Sequence, residues 1–157
     1  MALSIRPAVR ALLLDERDHL LLVRFEFPTA TVWALPGGGL EPGEDPTEGL
    51  KRELDEELGL EDPEIGPHIW TRLHIIPMNT GHDGQRDQIH LVRTKRFEPE
   101  PTIGWERLRA ELVHEMRWWS VAEIEHAPDR FAPRRLGQLT RSLLQHGTPR
   151  SPIEIGV

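Results

Sequence analysis

Apolar positions recur along this chain with two different periods. Residues 8–14 (AVRALLL) and 20–25 (LLLVRF) are short apolar runs on either side of the charged turn Asp15-Glu16-Arg17-Asp18. Runs of this length, bounded by polar turn residues, read as paired strands. Residues 31–35 give a short strand. Residues 68–76 and 88–97 give two longer ones around a polar loop at 77–86 that carries two glycines. Residues 116–120 read as one more strand. Over residues 46–58 the period becomes helical: at about 100° per residue, Thr47, Leu50, Leu54 and Leu58 share one arc. A short helix follows near 121–126, and an amphipathic one over 133–145 with Leu136, Leu139, Leu143 and Leu144 as its stripe. Residues 61–66 and 98–102 are connectors, residues 105–113 suit a short helix or an ordered loop, and residues 147–157 read as a loose tail. Strands interleaved with helices predict an α/β fold, an α/β/α layered domain over residues 1–146 followed by that tail.

The first helix is clearly punctuated. Asp45 suits the N-cap and Pro46 the first helical position, where a missing N–H costs nothing. Glu48 stands where a capping box places its reciprocal partner, and Gly59 is a natural stop. The helix is therefore Pro46–Leu58. Beside its buried stripe lie Glu53, Glu56 and Glu57, and with Asp55 they put four acids into five positions. Like charges one turn apart cost a bare helix about 0.2–0.5 kcal/mol per pair. One reading is a solvated acidic face. The other is a cation site, since hard divalent ions prefer oxygen ligands and share them with substrate phosphates. Gly49 lies one turn before Glu53. It reads either as tolerated drift or as a missing side chain that leaves room for a metal or a phosphate.

The order of the residues decides between these readings. Gly38, five residues, Glu44, seven residues, Arg52-Glu53-Leu54, one residue, Glu56-Glu57, one residue, Gly59-Leu60 resembles the complete Nudix box, and Trp33-Ala34-Leu35-Pro36-Gly37-Gly38 resembles the usual approach to it. So many fixed positions make the match far more specific than a lone glycine motif. The resemblance implies a Nudix-type α/β/α sandwich with a curved mixed sheet from about Arg6 to His146. It implies a pyrophosphohydrolase that uses Mg²⁺, or Mn²⁺, to hydrolyse a nucleoside diphosphate linked to a group X. It also implies that Glu53, Glu56 and Glu57 are catalytic metal ligands, with the Gly37 carbonyl as a further ligand. Arg52 then orients the box carboxylates, and Glu44 stands behind it. Members of the family often add an acid from outside the box; Glu98, Glu100 and Glu115 are the candidates, Glu115 foremost.

Substrate identity is less legible. Arg24 and Arg72 suit phosphate binding and Trp33 suits base stacking. Arg93, Trp70, Phe25 and Phe27 are further candidates, and strand aromatics are more often core. A nucleoside triphosphate, a modified nucleotide and an ADP-ribose-like compound all stay open. The resemblance disfavours dinucleoside polyphosphates, since the chain has no Tyr, and Pro77 gives the ADP-ribose type weak support. The alternative is a catalytically silent nucleotide-sensing module, against which the intact acids argue. A formal net charge of −7 removes the broad basic face that a nucleic-acid polymer needs. With no Cys there is no thiolate nucleophile, and the eight His lack metal-ligand spacing. The apolar start of the chain is broken by charges, so neither a signal peptide nor a membrane span is expected. The expected partner is a small-molecule nucleotide in the cytoplasm, with a homodimer left open.

Overall fold

The computed structural model describes residues 2–157. Its elements run β1 (Ile5–Leu14), β2 (Leu20–Glu26), β3 (Thr31–Ala34), β4 (Gly37–Gly39), α1 (Pro46–Leu58), β5 (His68–Ile75), β6 (Gly84–Arg93), α2 (Trp105–Ala110), β7 (Val113–Trp119), α3 (Val121–His126), β8 (Arg130–Ala132), α4 (Leu136–His146) and β9 (Ile153–Ile155). The strands form one mixed sheet in the order β8-β3-β2-β1-β6-β5-β9, with β4 added to β1 and β7 to β2. Its spine is the parallel pair β1–β6, in register from Ile5 opposite Gly84 to Leu14 opposite Arg93.

β1 is covered on both faces. Val9, Ala11 and Leu13 pack with Leu50, Leu54 and Leu58 of α1. Leu12 and Leu14 pack with Ile124 of α3 and with Leu136 and Leu143 of α4. A strand buried on both faces reads as a nearly continuous apolar run, as residues 8–14 do. The layering is the α/β/α arrangement expected. α1 has the expected bounds: the Asp45 side chain accepts from the Glu48 N–H, and Gly59, at φ 70°, closes the helix by donating to Asp55. The Glu48 side chain does not return a bond, so only half of the capping box forms.

Four expectations need correction. β6 begins at Gly84 and ends at Arg93, not at 88 and 97. Its first turn of sequence looked like loop because Gln85 and Asp87 are polar, yet both face arginines across the sheet rather than solvent. β7 starts at Val113, three residues earlier than the apolar pattern indicated. β8 and β4 are too short to show a period. Residues 147–157 are not a loose tail, since β9 pairs in parallel with β5, Trp70 opposite Ile153 and Arg72 opposite Ile155.

This pairing has a measurable consequence. Ile155 is 8% exposed and Ile153 is 51% exposed. Ile155→Ala should cost about 2 kcal/mol, the lower end for a buried Ile. Ile153→Ala should stay within about 0.5 kcal/mol of wild type. Urea denaturation of both variants checks this; equal small losses would mean that the segment does not dock.

Candidate active site

The site is assembled where β4 lies between β1 and α1. β4 is three glycines, paired with Ala8–Arg10 of β1. Gly37 takes φ 142°, and a Cβ there would sit 2.7 Å from the Arg10 Cα, so the close approach requires glycine. A Cβ on Gly38 would lie 2.7 Å from the carboxylate carbon and both oxygens of Glu53. The box glycines therefore let α1 carboxylates lie directly on the backbone of β4.

Glu57 is 6% exposed. Its Oε1 accepts the Gly37 N–H at 3.1 Å. Burial pushes its pKa up to about 8; the Arg10 charge and the Gly37 N–H oppose the shift, while Glu53 and Glu111 add to it. Burial also raises the pKa of Glu53, against the pull of Arg52.

Arg52 holds the site together. Its Nε and Nη2 fork the Glu44 carboxylate at 2.8 and 2.9 Å, and Nη2 also reaches the Gly39 carbonyl at 3.2 Å. Its Nη1 donates to Glu53 at 3.1 Å and to Glu56 at 3.4 Å. A planar guanidinium suits this multiple role, which a point charge cannot fill. Glu44 also accepts the Glu41 N–H at 3.0 Å. Mainly because of the Arg52 bonds, its pKa is pulled down to about 2. The stability from this bond is present above the ordinary carboxyl value and is lost as pH falls toward 2.

Glu53, Glu56 and Glu57 lie within one helical turn, but among the described residues no three His, Asp or Glu side chains converge tightly enough to hold a metal ion. Arg52 draws Glu53 and Glu56 one way, and Gly37 draws Glu57 another. The donor chemistry nevertheless fits a hard divalent cation. All the donors are carboxylates, and Glu57 is buried with no cation in contact, so an added positive charge would offset its desolvation.

Gly49 does not open a space. A Cβ there would run into the Leu40 side chain and lie 3.0 Å from Glu44 Oε1. The missing side chain admits the loop that delivers Glu44 to Arg52, not a metal or a phosphate.

Beside the acids lies a cavity of about 640 Å³. Arg10 connects the two: it lines the cavity, its charge acts on Glu53 and Glu57, and it donates to Asp87 at 3.2 Å and to the Leu35 carbonyl at 2.9 Å. Arg72 lines the cavity too. It reaches the buried Asp87 at 3.5 Å, and its Nε is buried without a partner. Arg24 and Trp33 are elsewhere. Arg24 pairs with Glu26 and with Glu115 at 3.0 Å. Trp33 is 3% exposed, edge-on to Trp119 in the core, with its Nε1 donating to Asp129 at 3.2 Å. Cross-strand packing explains both placements, and neither residue faces the cavity. Glu115, held by Arg24, stands apart from the acids of α1. Glu111, at the end of α2, is the acid outside α1 whose charge Glu57 feels. Sequence reading missed it because β7 starts early. Arg10 did leave a signal, as the one charged residue inside the run AVRALLL.

The sequence model of the family described as NUDIX domain matches residues 4–141. The chain is 30% identical over 141 residues to Nudix hydrolase 25 of Arabidopsis thaliana, across 82% of this chain and 80% of that protein. It is 47% identical over 62 residues to the nucleoside triphosphatase NudI of Escherichia coli, across 38% of this chain and 43% of that protein. The fold matches the MutT protein of Methanosarcina mazei Go1 with a TM-score of 0.71 at 20% identity, across 92% of this chain and 99% of that one.

Two predictions follow from this geometry. Glu57 has a folded-state pKa of about 8 against an ordinary 4.5. For a raised carboxyl, the stabilising contribution is complete below the ordinary value and is lost as pH climbs through the folded one. In chelator, Glu57→Gln should therefore gain stability relative to wild type between pH 5 and pH 8, whereas parallel urea midpoints across that range would contradict the assignment. Gly49→Leu should cost about 1–3 kcal/mol through overpacking, with or without divalent metal. A melting temperature equal to wild type would show that the loop can yield.

Proposed function

Because this chain belongs to the Nudix family, we propose that it hydrolyses the pyrophosphate linkage of a nucleoside diphosphate joined to a further group X. Nudix hydrolases are pyrophosphohydrolases and generally use divalent metal ions. The observation that carries the reading for this chain is the buried Glu57 carboxyl. It lies on the β4 backbone beside Glu53 and next to a guanidinium-lined cavity. Glu53, Glu56 and Glu57 would hold Mg²⁺, or Mn²⁺ in its place, with the Gly37 carbonyl as a further donor. Such an ion neutralises phosphate charge and lowers the pKa of bound water. Arg52 keeps Glu53 and Glu56 at the mouth of the site, and Glu44 keeps Arg52 there. Arg10 presents a positive charge to the pyrophosphate from the cavity side. Glu111 takes the place of Glu115 as the acid supplied from outside α1. X is a nucleoside or phosphate group of a nucleoside triphosphate, a modified nucleotide or an ADP-ribose-like compound. The partner is thus a small-molecule nucleotide. Among the described residues, no helix is long and apolar enough to cross a membrane.

The test is a panel of nucleoside di- and triphosphates and nucleotide sugars, assayed with Mg²⁺ and with Mn²⁺. Turnover should vanish on exhaustive chelation. Glu57→Gln should lower kcat by about 10²–10³, the usual effect of removing a central electrostatic group, while Glu115→Gln should change it only a few-fold. Full turnover in metal-free buffer would contradict the reading, as would tight nucleotide binding without cleavage of any member of the panel.

A further inference from the structure

The cavity beside the acids carries far more positive charge than hydrolysis of one pyrophosphate requires. Arg6, Arg10, Arg72, Arg130 and Arg134 all line it, and Asp87 is its only acidic side chain among the described residues. Asp87 is already shared by Arg10, Arg72 and the Gln85 amide. Arg6, Arg130 and Arg134 have no ion-pair partner among the described residues. The chain as a whole has a formal charge of −7, so this concentration of guanidinium groups runs against its overall composition. Clefts lined by one sign of charge focus the field and attract the opposite sign. His74, also in the cavity, is disfavoured as a cation, first by burial and then by the Arg72 charge, with Arg134 adding to it and Asp87 opposing.

The arginines come from separate parts of the fold. Arg72 is on β5, near one end of the sheet, and Arg130 is on β8 at the other end. The curl of the sheet brings them around one space. Arg10 alone is bound up with the acids of α1 and so serves the pyrophosphate. That leaves Arg72, Arg130 and Arg134 facing a volume of about 640 Å³, within the usual range for a small-molecule site. Phe25 and Phe27, stacked at 5.7 Å, also line it and give an apolar surface for a ring.

We propose that the X group bound in this cavity is itself anionic: a substrate with at least one phosphate beyond the pyrophosphate that is cleaved, gripped by Arg72, Arg130 and Arg134. This rests on the hydrolase reading above and narrows its substrate class. Guanidinium groups pair with phosphate oxygens in a fork, and a desolvated phosphate favours several such donors over one. A neutral sugar or base alone would leave three arginines unmatched.

Binding and turnover test it separately. Inorganic tripolyphosphate is titrated into the chain in chelator by calorimetry, with wild type and with Arg130→Gln/Arg134→Gln, whose two side chains are exposed and whose unliganded melting temperature should be unchanged. Wild type should bind one tripolyphosphate per chain, and the double variant should bind it at least tenfold more weakly. Failure of wild type to bind, or equal binding by the variant, overturns the proposal. With Mg²⁺, kcat/KM is then compared for ADP-ribose and for ADP-ribose phosphorylated on its terminal ribose. Wild type should prefer the phosphorylated compound at least tenfold, and the double variant should lose that preference. Equal turnover of the two by wild type overturns the anionic-X proposal and leaves the hydrolase reading intact. Tripolyphosphate binding at the arginines with no turnover of any compound supports the anionic site and overturns the hydrolase reading instead.

Discussion

The site depends on a carboxyl group kept out of water. Glu57 is buried against the backbone of β4, with one hydrogen bond from Gly37 and no cation in contact. An ionised carboxylate in that position is unfavourable, and its raised pKa expresses the cost. Burial is possible only because β4 is made of glycines. It allows α1 to settle onto β1 through Leu50, Leu54 and Leu58, with Glu53 and Glu57 lying on the strand rather than in solvent. The apolar stripe of α1 supplies the stability, and its neighbouring acidic arc holds the chemistry.

Positive charge is arranged around this acid without neutralising it. Arg52 binds Glu44, Glu53 and Glu56 and leaves Glu57 alone. Arg10 acts on Glu57 through space, but its own hydrogen bonds go to Asp87 and Leu35. The metal-free site therefore has a surplus of acid on α1 next to a surplus of arginine in the cavity. A divalent ion bridging to an anionic substrate satisfies both surpluses at once. A hard ion shared between carboxylates and phosphates is suited to that position.

Much of this was legible in the sequence, and the omissions have physical causes. α1 was readable to the residue because its caps, its stripe and its acids each depend on local spacing. The α/β/α layering followed from apolar runs long enough to be covered on both sides. β8 and β9 were not readable, since three residues carry no period. The early part of β6 was hidden by Gln85 and Asp87, polar residues whose partners are arginines far away in sequence. Side-chain destinations were the least legible. Trp33 and Arg24 are opposite one another on paired strands, and core packing claims the first while Glu26 and Glu115 claim the second. Gly49 was misread because the loop that fills its space, through Leu40 and Glu44, comes from an earlier part of the chain. Arg10 and Glu111 could be assigned only once β4 and β7 were in place.

The central claim is that Glu57 waits, largely protonated near neutral pH, for a cation that replaces its proton. The direct measurement is calorimetric titration of Mg²⁺, and of Mn²⁺, at pH 7 in buffers of different ionisation enthalpy. The linkage of metal binding to ligand deprotonation predicts release of about one proton per ion bound. That release should fall away above the folded-state pKa of about 8 and be absent in Glu57→Gln. Metal binding with no proton release in wild type at pH 7, or with the same release in Glu57→Gln, would contradict the account.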